Sequence, residues 1–389
     1  MENIIYHLAD KKDKEEVKSL WQYCFKDTKE FVELYFNKCY RAENTIGAYK
    51  NDRLLAAAQL NPYTIYLRGK KIDVDYIVGV ETAPEARGEG LAGGLMQSLL
   101  EESVKRGHYL TILMPFSTNF YYSYGWRFCY QHKLYNLSLD ELKPLGLNYG
   151  TIKRIDPLAE IEVLNGVYQA FCAEYHGYVL RRRENWKVLL QDLLQEGGHC
   201  ALLLGAEQKP EGYVLYSFDH EQITVLELAY TNYQPKAGLI KYLYRHRSQL
   251  ERIILPLAID DESYNVLENK QAAVIKPFMM ARIADVANFL SLLEYKTDIS
   301  LKIKVNDSLM SNNNNVFNFC VHHGQAQLEV KNGDWDLQID IGELTALVLG
   351  ATDSSELRKA GKIIINNETA FEHWQMLWPK ENNYINEYF

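Results

Sequence analysis

Val78-Gly79-Val80-Glu81-Thr82-Ala83-Pro84-Glu85-Ala86-Arg87-Gly88-Glu89-Gly90-Leu91-Ala92-Gly93 decides the fold. A strand rich in Val and Ile ends, a short loop follows, and a helix begins. Leu91, Leu95, Met96, Leu99, Leu100 and Val104 then recur on one face, which predicts a helix over 91–106. Gly88 and Gly90 remove side chains where the chain turns, so backbone can approach a ligand closely. Free N–H groups and the positive end of the helix dipole would cradle a pyrophosphate there, with Arg87 adding a fixed charge. Ala92 and Gly93 allow close packing on the helix. The pattern is neither G-x-G-x-x-G followed by a ribose-binding acid nor a loop ending in Gly-Lys-Ser/Thr, so dinucleotide and Walker-type readings are poor fits.

Working outward, residues 1–148 form a first domain. A strand at 4–8 and two amphipathic helices at 14–25 and 29–40 precede strands at 45–49, 54–66 and 71–81. After the helix come a buried strand at 109–114 and a short helix or turn at 119–124. This order predicts a mixed sheet with helices on both sides. Residues 149–288 repeat it in degraded form: helices at 158–176 and 183–195, strands at 200–205, 212–218 and 222–230, a helix at 238–248, and strands at 252–256 and 279–283. Between that last helix and its strand, residues 231–237 carry no glycine pair and no matching arginine. Residues 289–389 change texture, with alternating strands at 301–305, 316–321, 325–330 and 334–341. Helices at 342–349, 354–360 and 369–378 follow, predicting an α+β domain.

Composition narrows the function class. The 389 residues hold 42 Lys and Arg against 51 Asp and Glu, a net charge of −9, with no basic stripe. Nucleic acid held by phosphate contacts is a poor partner for such a chain, and a cationic ligand a better one. Six cysteines show no C-x-x-C spacing, so reduced, buried thiols are expected and no metal site is. The first 21 residues turn charged too early for a signal-peptide core. The longest charge-free run, 107–126, contains too many polar residues to span a bilayer. The expectation is a cytoplasmic protein with no membrane partner.

The segment R-x-x-G-x-A at Arg87–Ala92, set after a strand, resembles the coenzyme A loop of the GNAT N-acetyltransferases. The degraded repeat, the C-terminal domain and the terminal Phe extend the likeness to the "enhanced intracellular survival" (Eis) acetyltransferases. That resemblance implies tandem GNAT-like domains, the second without cofactor, and a C-terminal sterol-carrier-like α+β domain. It implies acetyl-CoA as donor, a small-molecule amine of a cationic, aminoglycoside- or polyamine-like kind as acceptor, and a homo-oligomer, often a hexamer. It also implies roles for residues. Val80, Glu81 and Thr82, then Arg87, Gly88, Glu89, Gly90, Leu91, Ala92 and Gly93, would hold the cofactor, with a further contact at Phe116 and Ser117. In Phe120-Tyr121-Tyr122-Ser123-Tyr124-Gly125-Trp126, Tyr121 takes the place of the general acid, with Tyr122 the open alternative. The carboxylate of Phe389 takes the place of the base. Phe25, Asp27 and Glu387 would line the amine pocket. The other readings are a carrier of apolar ligands working through the third domain, or an acyltransferase with another donor. The low basic content weighs against an aminoacyl-tRNA donor.

Overall fold

The computed structural model describes residues 4–388, so Phe389 lies outside the described residues. The first copy of the repeat runs β1 (Ile5–Leu8), α1 (Lys14–Cys24), α2 (Lys29–Lys38), β2 (Thr45–Lys50), β3 (Arg53–Leu67), β4 (Lys70–Thr82), α3 (Leu91–Lys105), β5 (Leu110–Leu113), α4 (Thr118–Ser123) and β6 (Arg127–Ser138). Strands β1 to β4 pair in sequence order, each antiparallel to the next. β5 then pairs parallel to β4, from Asp75–Thr111 to Ile77–Leu113.

Two local features open this sheet. Ala57 lies opposite Glu81 while Gln59 lies opposite Val78, so β4 carries one residue more than β3 across that interval. Such a bulge bends the strand and raises its twist. Gly79, inside it, has φ +61°, and a Cβ there would stand 2.3 Å from the Trp21 ring. Only glycine lets β4 pass under α1 at this point. The last parallel pair is Ile77–Leu113, and β4 continues to Thr82 paired with β3 but no longer with β5.

The second copy runs β7 (Thr151–Ile155), α5 (Ile161–Cys172), β8 (Tyr178–Val179), α6 (Arg183–Gln195), β9 (His199–Leu204), β10 (Pro210–Asp219), β11 (Gln222–Tyr230), α7 (Tyr233–Tyr244), β12 (Arg252–Ala258), α8 (Ser263–Val266) and β13 (Ala273–Ile283). Its sheet repeats the plan. β7, β9, β10 and β11 pair antiparallel in that order, and β12 pairs parallel to β11 from Gln222–Arg252 to Thr224–Ile254. β11 has its own bulge, between the pairs Tyr216–Val225 and Leu215–Glu227.

The sequence reading missed β6 and placed the last strand of the second copy with its own sheet. Instead the copies exchange their final strands. β13 pairs antiparallel with β5 of the first copy, Met280 opposite Leu113. β6 pairs antiparallel with β12 of the second, Arg252 opposite Ser138 through Ala258 opposite His132. α7 also begins five residues earlier than its periodicity suggests. Asn232 accepts the Gln234 amide at the N-terminus, and Pro235 sits in the first turn, where its missing N–H costs nothing.

The C-terminal domain comprises α9 (Val286–Leu292), β14 (Ile299–Asn306), β15 (Val316–His322), β16 (Gln325–Lys331), β17 (Leu337–Asp340), α10 (Ile341–Val348), α11 (Ser354–Lys359), β18 (Ile363–Ile365) and α12 (Glu368–Leu377). Its sheet has the order β16-β15-β14-β17-β18. Tyr295, Phe319, Trp374 and Trp378 fill the space over it, their rings within 6 Å of one another in series. α9 and β18 carry too few residues to stand out in the sequence. Residues 334–336 of the expected 334–341 strand lie outside β17, and Ile341 opens α10.

The molecule divides into two compact units: residues 4–130 with 278–383, and 131–277 with 384–388. In the first, Leu95, Met96, Leu99 and Leu100 of α3 close one face of the sheet. In the second, Leu239, Ile240 and Leu243 of α7 do the same. Among the described residues no helix is long and apolar enough to cross a membrane.

Candidate active site

Where β4 outruns β5, the first unit holds a cavity of about 680 Å³. One wall is Val80, Glu81 and Thr82. It continues through Ala86, Arg87, Gly88, Gly90, Leu91 and Ala92. Cys24 and Phe25 at the end of α1 form the second wall, and Phe116 and Phe120 the third. Gly88 and Gly90 have φ of +82° and +79°, and neither would crowd a neighbour with a Cβ. Conformation, then, demands glycine here, since a side chain in this region costs ~1–2 kcal/mol. Gly90 is also the N-cap of α3 and supplies no side-chain cap, so the first amides of a 15-residue helix are left for a ligand.

Arg87 ties the loop to the neighbouring wall. Its Nε donates to the Thr82 carbonyl at 3.1 Å, and one Nη lies 3.6 Å from the Cys24 sulfur. Glu89 and Gly93 belong to the same loop and helix but do not line the cavity; Glu89 points to solvent. Ser117 sits half-buried just before α4, beside the lining Phe116. Cys24, Ala86 and Phe120 line the cavity and were not singled out from sequence.

Tyr121 lies behind the third wall. Its ring makes edge contacts with Phe116 and Phe120, centroids 5.4 and 4.9 Å away, and with Trp126 on its far side. Burial pushes its phenol well above the usual range, so it holds its proton at any physiological pH. Tyr122 turns outward under the Arg127 guanidinium, 4.5 Å from the ring centroid. The turn after α4 is held from below. Arg282 donates Nε–H to the Tyr124 carbonyl at 2.7 Å, and its Nη2 meets both oxygens of Asp307 at 2.7 and 2.8 Å. The Trp126 amide closes back on the Tyr121 carbonyl.

The residues expected in an amine pocket separate. Phe25 lines the cavity. Asp27 is exposed and accepts the Trp21 indole N–H at 2.8 Å, fixing the ring that roofs Gly79. Glu387 lies in the second unit, buried, 2.8 Å from Arg181 Nε. Burial raises its carboxyl, partly offset by Arg181.

Glu81 is the unusual member of the first wall. Its side chain is 1% exposed, and neither carboxyl oxygen has a hydrogen-bond partner. Burial, then the neighbouring Cys24, pushes its pKa well above the carboxylate range. The amide nitrogen of Gln59, buried on the adjacent strand, is also without a partner, while its oxygen accepts the Tyr35 hydroxyl at 2.9 Å.

Just past the β11 bulge, Glu227 is equally buried and fully satisfied. Arg181 grips it with two bonds of 2.8 and 2.6 Å, Tyr213 donates its hydroxyl at 2.5 Å, and Asn386 donates at 3.1 Å. The guanidinium stacks over Tyr168 and Trp186, 4.1 and 4.6 Å from their centroids. Burial alone would raise the Glu227 carboxyl; the charge and bonds of Arg181 outweigh it, and the pKa is lowered. The signal was present in sequence as one acid inside the apolar run at 225–229. Its partner, 46 positions away, had no local mark. The tail follows the same anchor: the Tyr384 ring packs on Phe171 and Tyr175, and Ile385 accepts from His132 at 2.8 Å.

Three family descriptions match successive parts of the chain. "Acetyltransferase (GNAT) domain" matches residues 6–129 and, as a second family of the same description, residues 177–283; "Sterol carrier protein domain" matches 286–386. A search of curated proteins gave no match. Among solved structures, a GCN5-related N-acetyltransferase from Anabaena variabilis is 22% identical, with a TM-score of 0.86. A probable N-acyltransferase from Enterococcus faecalis is 23% identical, with a TM-score of 0.87. Eis1 from Mycobacterium abscessus is 19% identical, with a TM-score of 0.78. Each likeness covers 100% of both chains, and at these identities it establishes the shared fold.

Proposed function

The protein is a GNAT acyltransferase with two GNAT domains and a sterol carrier domain in the arrangement of Eis1, and on that premise we propose that its first domain moves an acetyl group from acetyl-CoA to an amine of a cationic acceptor. The observation that carries this reading is the cavity at the split of β4 from β5, floored by the uncapped start of α3. Gly88 to Ala92 would hold the pyrophosphate by backbone N–H groups, with Arg87 at the rim. The amine nitrogen attacks the thioester carbon, the C–S bond breaks, and the backbone N–H near Val80 stabilises the oxyanion. Tyr121 gives its proton to the departing thiolate, and the terminal carboxylate of Phe389 takes the proton that the amine loses. Aminoglycosides and polyamines are the acceptor class of choice, since both present several ammonium groups to an acidic protein.

On this reading the second copy does not hold a cofactor. α7 starts under the Asn232 cap at Tyr233, without a glycine pair. The protein acts as a cytoplasmic homo-oligomer, hexameric by analogy, which light scattering after size exclusion tests. Calorimetry with acetyl-CoA tests the central claim: micromolar binding is the expected result, and no binding to the folded protein overturns it. Deleting Phe389 then separates the parts. Loss of turnover with acetyl-CoA binding retained supports the base, and full activity removes it.

A further inference from the structure

We propose that Glu81 is the side chain that receives the positive charge of the amine acceptor, which makes it the residue that selects cations in this cavity. The proposal rests on reading the cavity as the acyl-transfer site, and it adds a specificity determinant to that reading.

The first ground is an unmet need. A buried polar group without a partner forfeits its hydrogen bonds to water and gains nothing in return. Glu81 is such a group twice over, since both oxygens are unmatched, and it lines a cavity large enough for a ligand. The amide nitrogen of Gln59, on the strand across the bulge, is unpartnered as well. No side chain of the described residues completes the set. Arg87, the cation at the rim, is committed to the Thr82 carbonyl and faces Cys24. Tyr35 and Tyr40, on and after α2, and Cys24 on α1 are the other titratable groups within electrostatic reach. Each is neutral when protonated and none supplies positive charge.

The second ground is an internal precedent. The second copy places a glutamate just past its own bulge, and there the protein supplies the cation itself. Arg181 meets both oxygens of Glu227 while lying on the rings of Tyr168 and Trp186. The first copy has aromatic rings at its site as well: Trp21 stacks on Tyr35 at 4.7 Å and meets Phe25 at a tilt, centroids 5.0 Å apart, and Phe25 opens onto the cavity. What it lacks is the arginine. A ligand ammonium group would take that position, ionising a carboxyl that burial otherwise keeps protonated, and releasing that proton to solvent.

Cys24, on the opposite wall, gives a readout that needs no knowledge of the acceptor. Two methanethiosulfonates of fixed and opposite charge, the trimethylammonioethyl cation and the sulfonatoethyl anion, are reacted with the protein, and the rate at Cys24 is followed by peptide mass spectrometry. The thiolate fraction affects both reagents alike and cancels in their ratio. In wild-type protein the cation-to-anion ratio should climb roughly tenfold or more as pH rises from 6 to 9, because Glu81 ionises and concentrates cations. In E81Q it should stay flat, and in E81D the climb should return. A ratio with the same pH course in wild type and E81Q overturns the proposal. Acetyl-CoA calorimetry on the same two proteins keeps the two readings apart. Acetyl-CoA binding by wild type, with the pH-dependent ratio lost in E81Q, supports both. No acetyl-CoA binding by either protein sinks the acyl-transfer reading while the ratio still reports on Glu81.

Discussion

β4 and β11 build the two copies alike as far as their bulges, and differ just beyond them. In the first copy the strand runs on through Glu81 to a glycine pair and an uncapped helix. In the second it runs through Glu227 to a helix capped by Asn232. One buried carboxyl is left unmatched beside a cavity, and the other is enclosed by Arg181, Tyr213 and Asn386. The difference teaches that a binding site and a structural clasp can be made from the same scaffold, depending on whether the protein or a ligand provides the last partner.

Breaking the clasp should have the largest effect. Arg181→Met leaves Glu227 and Glu387 buried without their cation, and loss of one member of a buried pair typically costs ~3–5 kcal/mol. Urea unfolding measures it, and E227Q added to R181M should recover part of the loss. If R181M is as stable as wild type, the clasp is not structural.

In the first copy, Tyr121→Phe should lower kcat about a hundredfold, the lower end of what a general acid contributes. Acetyl-CoA affinity should hold, and Tyr122→Phe should leave kcat within about twofold. The reverse pattern would move the acid to Tyr122.

The stability effect of Glu81 depends on pH and sets in just above the unfolded carboxylate value. Its folded pKa is raised, so between the unfolded carboxylate value, about 4.3, and the folded one the native state binds the extra proton. The stability this contributes is full below the unfolded pKa and is lost as pH rises, at up to ~1.4 kcal/mol per unit. Glu81→Gln has no such dependence. The melting temperature of E81Q relative to wild type should therefore rise from pH 5 to pH 8, and a constant difference would show that Glu81 is not held protonated. Glu227, whose pKa is lowered, should give the opposite slope in E227Q, at acid pH.

The smallest expected effect is at the helix starts. Asn232→Ala removes the cap of α7 and should cost about 1 kcal/mol in thermal unfolding. Gly90→Ala forces a side chain into φ +79°, with a similar ~1–2 kcal/mol cost, but should also weaken acetyl-CoA binding. N232A should leave that binding unchanged. Equal behaviour of the two variants towards acetyl-CoA would erase the contrast between the copies.

The sequence carried the local half of this picture. The Val- and Ile-rich end of β4, Gly88, Gly90 and the apolar face of α3 are periodic and contiguous, so loop and helix could be read directly. β6 was missed because its burial alternates irregularly, with Lys133 and Asn136 among Tyr130, Tyr135 and Leu137. β13 was found only in its last five residues, since Lys276 and Pro277 interrupt the run. Its partner could not be read at all, because register with β5 is a long-range property. α7 starts five residues before the expected 238, with Pro235 in its first turn, which accommodates proline. Glu81 was assigned to cofactor contact through its backbone. That its side chain is enclosed without a partner depends on the bulge at Gly79 and on the packing of α1, neither of which leaves a mark at position 81 itself.

During synthesis β5 emerges long before its neighbour β13. At typical translation rates of 5–20 residues per second, roughly 10 to 30 s separate Leu113 from Ile283. Through that interval the nascent first domain presents an unpaired strand edge, the kind that recruits other chains. It cannot be completed by shortening the protein to its first copy, because the missing strand is encoded in the second. The second copy thus serves the first during biogenesis as a donor of the closing strand, which gives selection a reason to keep it whether or not it binds anything.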